Sequence, residues 1–259
     1  MRRALKMKLS VALATYNEEE NIGKCLVSIK GLADEIIIVD GSSTDKTVEI
    51  AKKFGATIII ADNPPIFHIN KQKAIDACSG KWILQLDADE QVTPELGREI
   101  REIIEKDSKF SGFWIKRKNY FLGYWLKKGG QYPDPVIRLF KKGKAFLPCK
   151  SVHEQMEVEG DIGWLENDML HYSVPTFSRY LTNSNRYTSL SARELGEKEI
   201  EFNLLNHLNY FLLKPFSTFL SLYLRHKGFI DGFPGFVFAL FSGLHFPISY
   251  IKYWESIKK

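Results

Sequence analysis

Short β-branched runs alternate with stretches of helical period from Leu9 to about Glu105. Strands are expected at residues 9–14, 35–39, 57–60 and 81–86. Between them, residues 18–29 place Ile22, Cys25, Leu26 and Ile29 on one helical face, with Asn17 as a candidate cap. Residues 44–54, closed by Gly55, and residues 70–78 supply two more helices. Thr93-Pro94-Glu95 then opens a helix whose inward positions are Leu96, Ile100, Ile103 and Ile104. Strand and helix in strict alternation predict consecutive βαβ units, hence an α/β fold with a mainly parallel sheet.

After Phe110 the texture changes to aromatic-rich strand segments broken by Gly129-Gly130, Pro133, Pro135 and Gly143. Residues 176–198 return to helical period, and from Asn206 the chain turns to Phe, Leu and Tyr with Lys and Arg between them. These shifts place a boundary near residue 203. The expected organisation is a domain over residues 1–203, its first half at about 8–107 and its second at 108–203, followed by an amphipathic helical extension over 204–259. In the extension, residues 208–223 interleave apolar groups with Lys214-Pro215 and lead into Arg225-His226-Lys227. Residues 232–251 carry no formal charge but contain Gly232, Pro234, Gly235, Gly243 and Pro247. A spanning helix needs about 20 apolar residues and tolerates such breakers only where neighbours satisfy the backbone. Interfacial or re-entrant helices at a membrane surface are therefore the expectation, with a core-packing helical tail as the alternative.

With 259 residues, 44% hydrophobic and 26% charged, the chain can bury one sizeable core and carry a smaller appendage. A net charge of +5 is too mild to argue for nucleic acid, though it suits an anionic membrane surface. Cys25, Cys78 and Cys149 are odd in number and widely spaced, which predicts free thiols in a reducing compartment. The basic start, Met1 to Lys8, leads straight into the first strand, and no secretion signal is visible.

The first strand–helix turn, Ala14-Thr15-Tyr16-Asn17-Glu18, lacks the glycines of a dinucleotide-binding loop, and no P-loop pattern occurs. Dehydrogenase and kinase readings lose their main support. Asp40 closes the second strand at its carboxyl end, where parallel sheets bind ligands; taken alone, Asp40 and Asp45 read first as caps of the turn and of the helix after it. Leu84-Gln85-Leu86 runs directly into Asp87-Ala88-Asp89-Glu90. Carboxylates at a strand edge form an adequate half-site for Mg²⁺ or Mn²⁺, whose remaining ligands commonly come from substrate phosphates.

Residues 10–18, then Val39-Asp40-Gly41-Ser42-Ser43-Thr44-Asp45, then Leu86 to Glu90 together resemble the nucleotide-binding half of family-2 glycosyltransferases, which have the GT-A fold. Residues 117–123, Arg138-Leu139-Phe140, Val152-His153-Glu154 and residues 170–173 resemble the bacterial branch that includes lipopolysaccharide core glucosyltransferases of the WaaE type. The resemblance implies an inverting, metal-dependent transfer from a nucleotide-diphosphate sugar, a UDP-hexose for example, to a membrane-linked saccharide such as lipopolysaccharide core, at the cytoplasmic face of the cell membrane. It implies that Asp40 meets the base, with Thr15 and Glu18 nearby; that Asp87 contacts the ribose; and that Asp89 and His171 hold the metal. Lys71 falls at a diphosphate-contact position, and Arg138 is expected to pair with phosphate or with Glu154. Glu154 is implied as the base, its neighbour His153 is a weaker candidate, and residues 129–134 are a candidate loop over the sugar. Residues 63–68 depart from the branch's aromatic-glycine stretch. The rival readings are a nucleotidyltransferase acting on a sugar phosphate and a non-catalytic nucleotide-sugar binder or membrane scaffold.

Overall fold

The computed structural model describes residues 8–106, 108–150 and 154–258. The chain divides into two compact units, Met1–Arg117 with Pro135–His171, and Lys118–Asp134 with Tyr172–Lys259.

In the first unit, β1 (Leu9–Thr15), α1 (Ile22–Ser28), β2 (Glu35–Asp40), α2 (Thr47–Lys53), β3 (Thr57–Ile60), α3 (His68–Ala77) and β4 (Trp82–Leu86) realise the alternating pattern. Their strands lie parallel in the order β3-β2-β1-β4. β5 (Glu90–Val92) and α4 (Pro94–Glu105) follow, then β6 (Gly112–Phe121). After β7 (Tyr124–Trp125) of the second unit comes β8 (Asp134–Lys141), which pairs antiparallel with β4. β9 (Ala145–Phe146) and β10 (Glu157–Val158) form a separate antiparallel pair. β11 (Ile162–Trp164) runs parallel beside β6, and β12 (Met169–Val174) lies antiparallel to β5. The α/β architecture with a mainly parallel first half is the one expected.

Alternation along β1 explains the layering. Leu9, Val11 and Leu13 join Ile22, Cys25, Leu26, Ile29, Leu96 and Ile100 on one side of the sheet, whereas Ala12 packs with Ala74, Ile75 and Cys78 on the other. Both faces of the central strands are therefore covered, as parallel sheets require. Thr93 caps α4 as expected, its hydroxyl accepting the Leu96 N–H at 3.2 Å. Cys25, Cys78 and Cys149 are free, and burial pushes the Cys78 thiol up to about 12.

Two helix starts differ from expectation. α1 begins at Ile22 rather than at residue 18, and Asn17 sits at φ 53° instead of capping it. The cause is the neighbouring turn. The N–H groups of Asn17, Glu18 and Glu19 donate to the side chains of Ser43, Thr47 and Asp45, so they have partners outside a helix. α2 begins at Thr47 rather than at residue 44 because Asp45 Oδ1 accepts the Thr47 N–H at 2.9 Å and Asn17 Oδ1 accepts the Thr44 N–H at 2.8 Å.

In the second unit, the end of β6 and β7 form a hairpin over Leu122-Gly123, both at positive φ, the backbone a two-residue turn demands. α5 (Phe177–Glu197) starts from Thr176, whose hydroxyl accepts the Arg179 N–H. α6 (Leu204–Leu208) and α7 (Lys214–Leu220) alternate with π-helical turns at Asn209–Leu213 and Ser221–Arg225. α8 (Gly232–Ile257) is one helix running through Pro247. Gly235, Gly243 and Pro247, breakers by residue type, are all accommodated within it. At Gly243 a side chain would meet the Pro215 carbonyl oxygen at 2.7 Å, so the missing Cβ lets α7 and α8 approach closely. Asp231 is buried and accepts the N–H groups of Lys127 and Lys128 at 3.0 and 2.8 Å. The boundary expected near residue 203 falls inside this unit, where α5 packs along α8.

Candidate active site at the strand carboxyl ends

In a sheet of order β3-β2-β1-β4 the strand order reverses at β1, with β2 and β3 added on one side of it and β4 on the other, and ligands favour the crevice that opens between β1 and β4 at the strand carboxyl ends. Thr15 ends β1, Asp40 ends β2 opposite it, and Asp87 follows β4.

Asp40 is fully buried. Its Oδ2 accepts from Thr15 Oγ1 at 2.8 Å and Ser43 Oγ at 2.7 Å, and its Oδ1 accepts the Ser43 N–H at 2.7 Å. Asp40 and Thr15 thus tie the turn together, the structural alternative weighed for Asp40 from sequence. Glu18 is half-buried and accepts from Asn21 Nδ2 at 2.7 Å.

Asp87 is the centre of a buried charge network. Its Oδ1 meets Lys71 Nζ at 2.5 Å and Gln85 Nε2 at 3.2 Å, while its Oδ2 meets Arg138 Nη2 at 2.7 Å. Burial pushes the Asp87 carboxyl up, but Arg138, Lys71 and Arg117 outweigh it and hold the group well below the usual carboxylate range. Lys71 is 8% exposed, so it is held against Asp87 and not solvated. Arg138 also donates to Gln85 Oε1 and to Glu90 Oε1. The expected Arg138–Glu154 pairing does not form, because Asp87 and Glu90 are already within reach of the guanidinium.

Beside this network, Asp89 Oδ2 lies 3.5 Å from His171 Nε2. Burial pushes the Asp89 carboxyl up and the His171 imidazole down, and their mutual attraction reverses both, lowering Asp89 and raising His171. Among the described residues, no group of three or more His, Cys, Asp and Glu side chains stands together as a metal cage.

A cavity of about 330 Å³ brings Lys71, Asp87, Arg138 and Glu154 together with Phe67 and Arg117. Thr15, Glu18, Asp40, Asp89 and His171 are not among its lining residues. The Glu154 carboxylate is half-buried and accepts the Lys150 N–H at 2.9 and 3.0 Å. His153 lies outside the described residues. The departing loop at 63–68 is tied to α3, with Asn70 Nδ2 donating to the Asp62 carbonyl at 2.7 Å.

Sequence reasoning assigned no role to Glu90, Gln85 or Arg117. Glu90 is fully buried, and its carboxylate accepts from Arg117 Nη1 at 3.2 Å, Arg138 Nη2 at 2.8 Å and the Asp87 N–H at 2.9 Å. The available signal was Arg138 between Val136-Ile137 and Leu139-Phe140: a charge inside an apolar strand requires a buried counter-charge.

Residues 10–156 match the family model described as Glycosyl transferase family 2. An uncharacterized glycosyltransferase of Rickettsia typhi is 30% identical over 245 residues, 89% of this chain and 81% of that protein. The lipopolysaccharide core biosynthesis glycosyltransferase LpsC of Rhizobium meliloti is 28% identical over 255 residues, 92% of this chain and 91% of its own length. Among solved structures, S. aureus TarS 1–349 shares 17% identity at a TM-score of 0.48, over 90% of this chain and 81% of that one. With its strand-end carboxylates on an α/β sheet and a family match covering more than half of its length, the chain belongs to glycosyl transferase family 2.

Proposed function

We propose that this protein transfers a sugar, with inversion, from a nucleotide-diphosphate donor such as a UDP-hexose to a membrane-linked saccharide of the lipopolysaccharide-core kind, at the inner face of the cell membrane. The observation that carries the reading is the convergence of Lys71, Arg138, Asp87 and Glu154 on one cavity in a family-2 glycosyltransferase. LpsC supports the acceptor class. In this reading residues 8–107 hold the nucleotide and residues 108–203 present the acceptor.

A carboxylate offers about four lone-pair sites. Lys71, Gln85 and Arg138 take three on Asp87, leaving one on Oδ2 for a ribose hydroxyl. Asp40, Thr15 and Glu18 order the turn against which the base would rest. Lys71 and Arg138 carry the positive charge that a departing diphosphate needs, and they can pass from Asp87 to phosphate oxygens without leaving the cavity. Glu154 is the base: the acceptor oxygen attacks the anomeric carbon, Glu154 takes the hydroxyl proton, and the bond to the diphosphate breaks with its electron pair on the leaving oxygen. Displacement from the opposite side inverts the anomeric centre.

Asp89 and His171 fit a divalent ion such as Mn²⁺ or Mg²⁺. A carboxylate oxygen and an imidazole nitrogen face each other at 3.5 Å, a protein half-site that leaves positions for water and phosphate oxygens. When bound, such an ion would neutralise charge on the departing diphosphate.

The test is calorimetric titration of the full chain with UDP-, GDP-, ADP- and CMP-linked sugars, with Mn²⁺ or Mg²⁺ and then with chelator. Metal-dependent binding of one donor, lost in Asp89→Ala, is expected. Glu154→Gln should retain donor affinity while turnover falls about 10²–10⁴-fold, the range of general-base contributions. Undiminished donor binding in chelator would refute the metal half-site, and unchanged turnover in Glu154→Gln would remove Glu154 as the base.

A further inference from the structure

The second unit carries an apolar face that its own packing leaves uncovered. Along α8, Phe233, Phe236, Leu240, Leu244, Ile248 and Ile251 are each at least 36% exposed. Their spacings of 3, 4, 4, 4 and 3 follow the helical period, so they form one continuous stripe. Other positions of the helix, including Val237, Ala239, Gly243, Tyr250 and Tyr253, are buried, and α5 and α7 pack against α8. Leu212 and Phe216, before and within α7, are 59% and 65% exposed and add to the apolar surface.

Charge selects what covers this face. Between Phe202 and Trp254 the only acidic residue is Asp231, which is buried against the Lys127 and Lys128 N–H groups. The exposed charges of this stretch are cationic, Arg225 and Lys227 at the turn that precedes α8. Trp254, near the other end of the helix, is 45% exposed with Lys258 Nζ 3.7 Å from its ring, an aromatic–basic pair of the kind favoured at headgroup level. A second copy would bring like charges together at this face, whereas an anionic bilayer complements both its apolar and its cationic character.

Gly228–Ile257 is long and apolar enough to cross a membrane by length and composition. The packing argues for a different placement. α5 runs along α8 and keeps Arg186, Arg193, Glu194 and Glu197 exposed, and a transmembrane α8 would carry these charges into hydrocarbon. We infer that α8 lies in the plane of an anionic membrane surface, its Phe233–Ile251 stripe in the acyl boundary and Arg225 and Lys227 against lipid phosphates. This inference does not depend on the donor or acceptor reading, and its test measures binding rather than turnover.

The experiment is co-sedimentation of the full chain with vesicles of equal parts phosphatidylethanolamine and phosphatidylglycerol, and with vesicles of phosphatidylcholine alone, at low and high salt. Wild type should sediment with the anionic vesicles and be released by salt. Arg225→Glu with Lys227→Glu should weaken partitioning by about fivefold or more per cation. Phe233→Glu with Leu240→Glu and Ile251→Glu should lower it at least ~10-fold at low salt, while circular dichroism stays unchanged because these side chains are exposed. Equal binding of wild type to both vesicle types, or no binding to either, overturns the inference. So does a wild-type dimer in light scattering that the triple variant dissolves, which would make the stripe an interface between copies.

Discussion

Replacing Glu90 by Gln tests whether the buried network, rather than apolar packing alone, holds the strand-end acids in place. Glu90 is fully buried and accepts three N–H donors, two from guanidinium groups and one from the Asp87 backbone. Glutamine keeps the shape and one acceptor oxygen but turns an amide NH₂ toward a donor and removes the negative charge. Arg117 and Arg138, 17% and 10% exposed in their side chains, then share Asp87 with Lys71. Breaking a buried pair from one side costs about 3–5 kcal/mol. The retained acceptor places Glu90→Gln near the lower end, ~3 kcal/mol. At about 2–4 °C per kcal/mol for a protein near this size, Tm should fall by about 6–12 °C. Thermal unfolding followed by circular dichroism reads this directly. Glu49→Gln is the control: Glu49 is 62% exposed and pairs with Lys53 at the surface, so its replacement should leave Tm nearly unchanged. A Tm drop no larger than that of Glu49→Gln would refute the reasoning.

Two further outcomes follow from local geometry and one from titration. Gly243→Ala should destabilise by about 1–3 kcal/mol, because its Cβ would meet the Pro215 carbonyl oxygen at 2.7 Å; an unchanged urea midpoint would contradict the close α7–α8 approach. Gly23→Ala in α1 meets only Ile50 Cγ2 at 3.7 Å and should be neutral or stabilising by up to about 1 kcal/mol in the same assay. Burial pushes the Glu35 carboxyl up, but hydrogen bonds from Ser10 and Ser79 outweigh it and lower its pKa. A depressed folded-state pKa contributes stability that is present above the unfolded value near 4.5 and lost as pH falls through the folded value. Urea unfolding of wild type and Glu35→Gln should therefore show a stability gap at pH 7 that closes on acidification below the ordinary carboxylate range; a gap that widens would reverse the sign.

Hydrophobic periodicity is a property of neighbouring residues, and this chain's α/β order was legible from it. Residues 57–60 form the expected strand, α4 starts at the Thr93-Pro94 signal, and Ile22, Cys25, Leu26 and Ile29 all point into the core. Acids at strand ends were legible for the same reason, since the apolar run Leu84-Gln85-Leu86 gives way directly to Asp87-Ala88-Asp89-Glu90. The partners of those acids were not. Arg138 inside an apolar strand announces a buried counter-charge, but only the antiparallel pairing of β8 with β4 decides that it is shared between Asp87 and Glu90. Asn17 carries a helix cap's side chain, yet the approach of the 43–47 turn takes its backbone N–H and its side-chain oxygen. Gly243 and Pro247 look like breaks in a helix until α7 packs so close that a missing Cβ is required. Sequence by itself determined the elements and where acids would emerge; tertiary structure decided which charges meet, because a counter-ion 48 residues away is chosen by sheet order and not by any local preference.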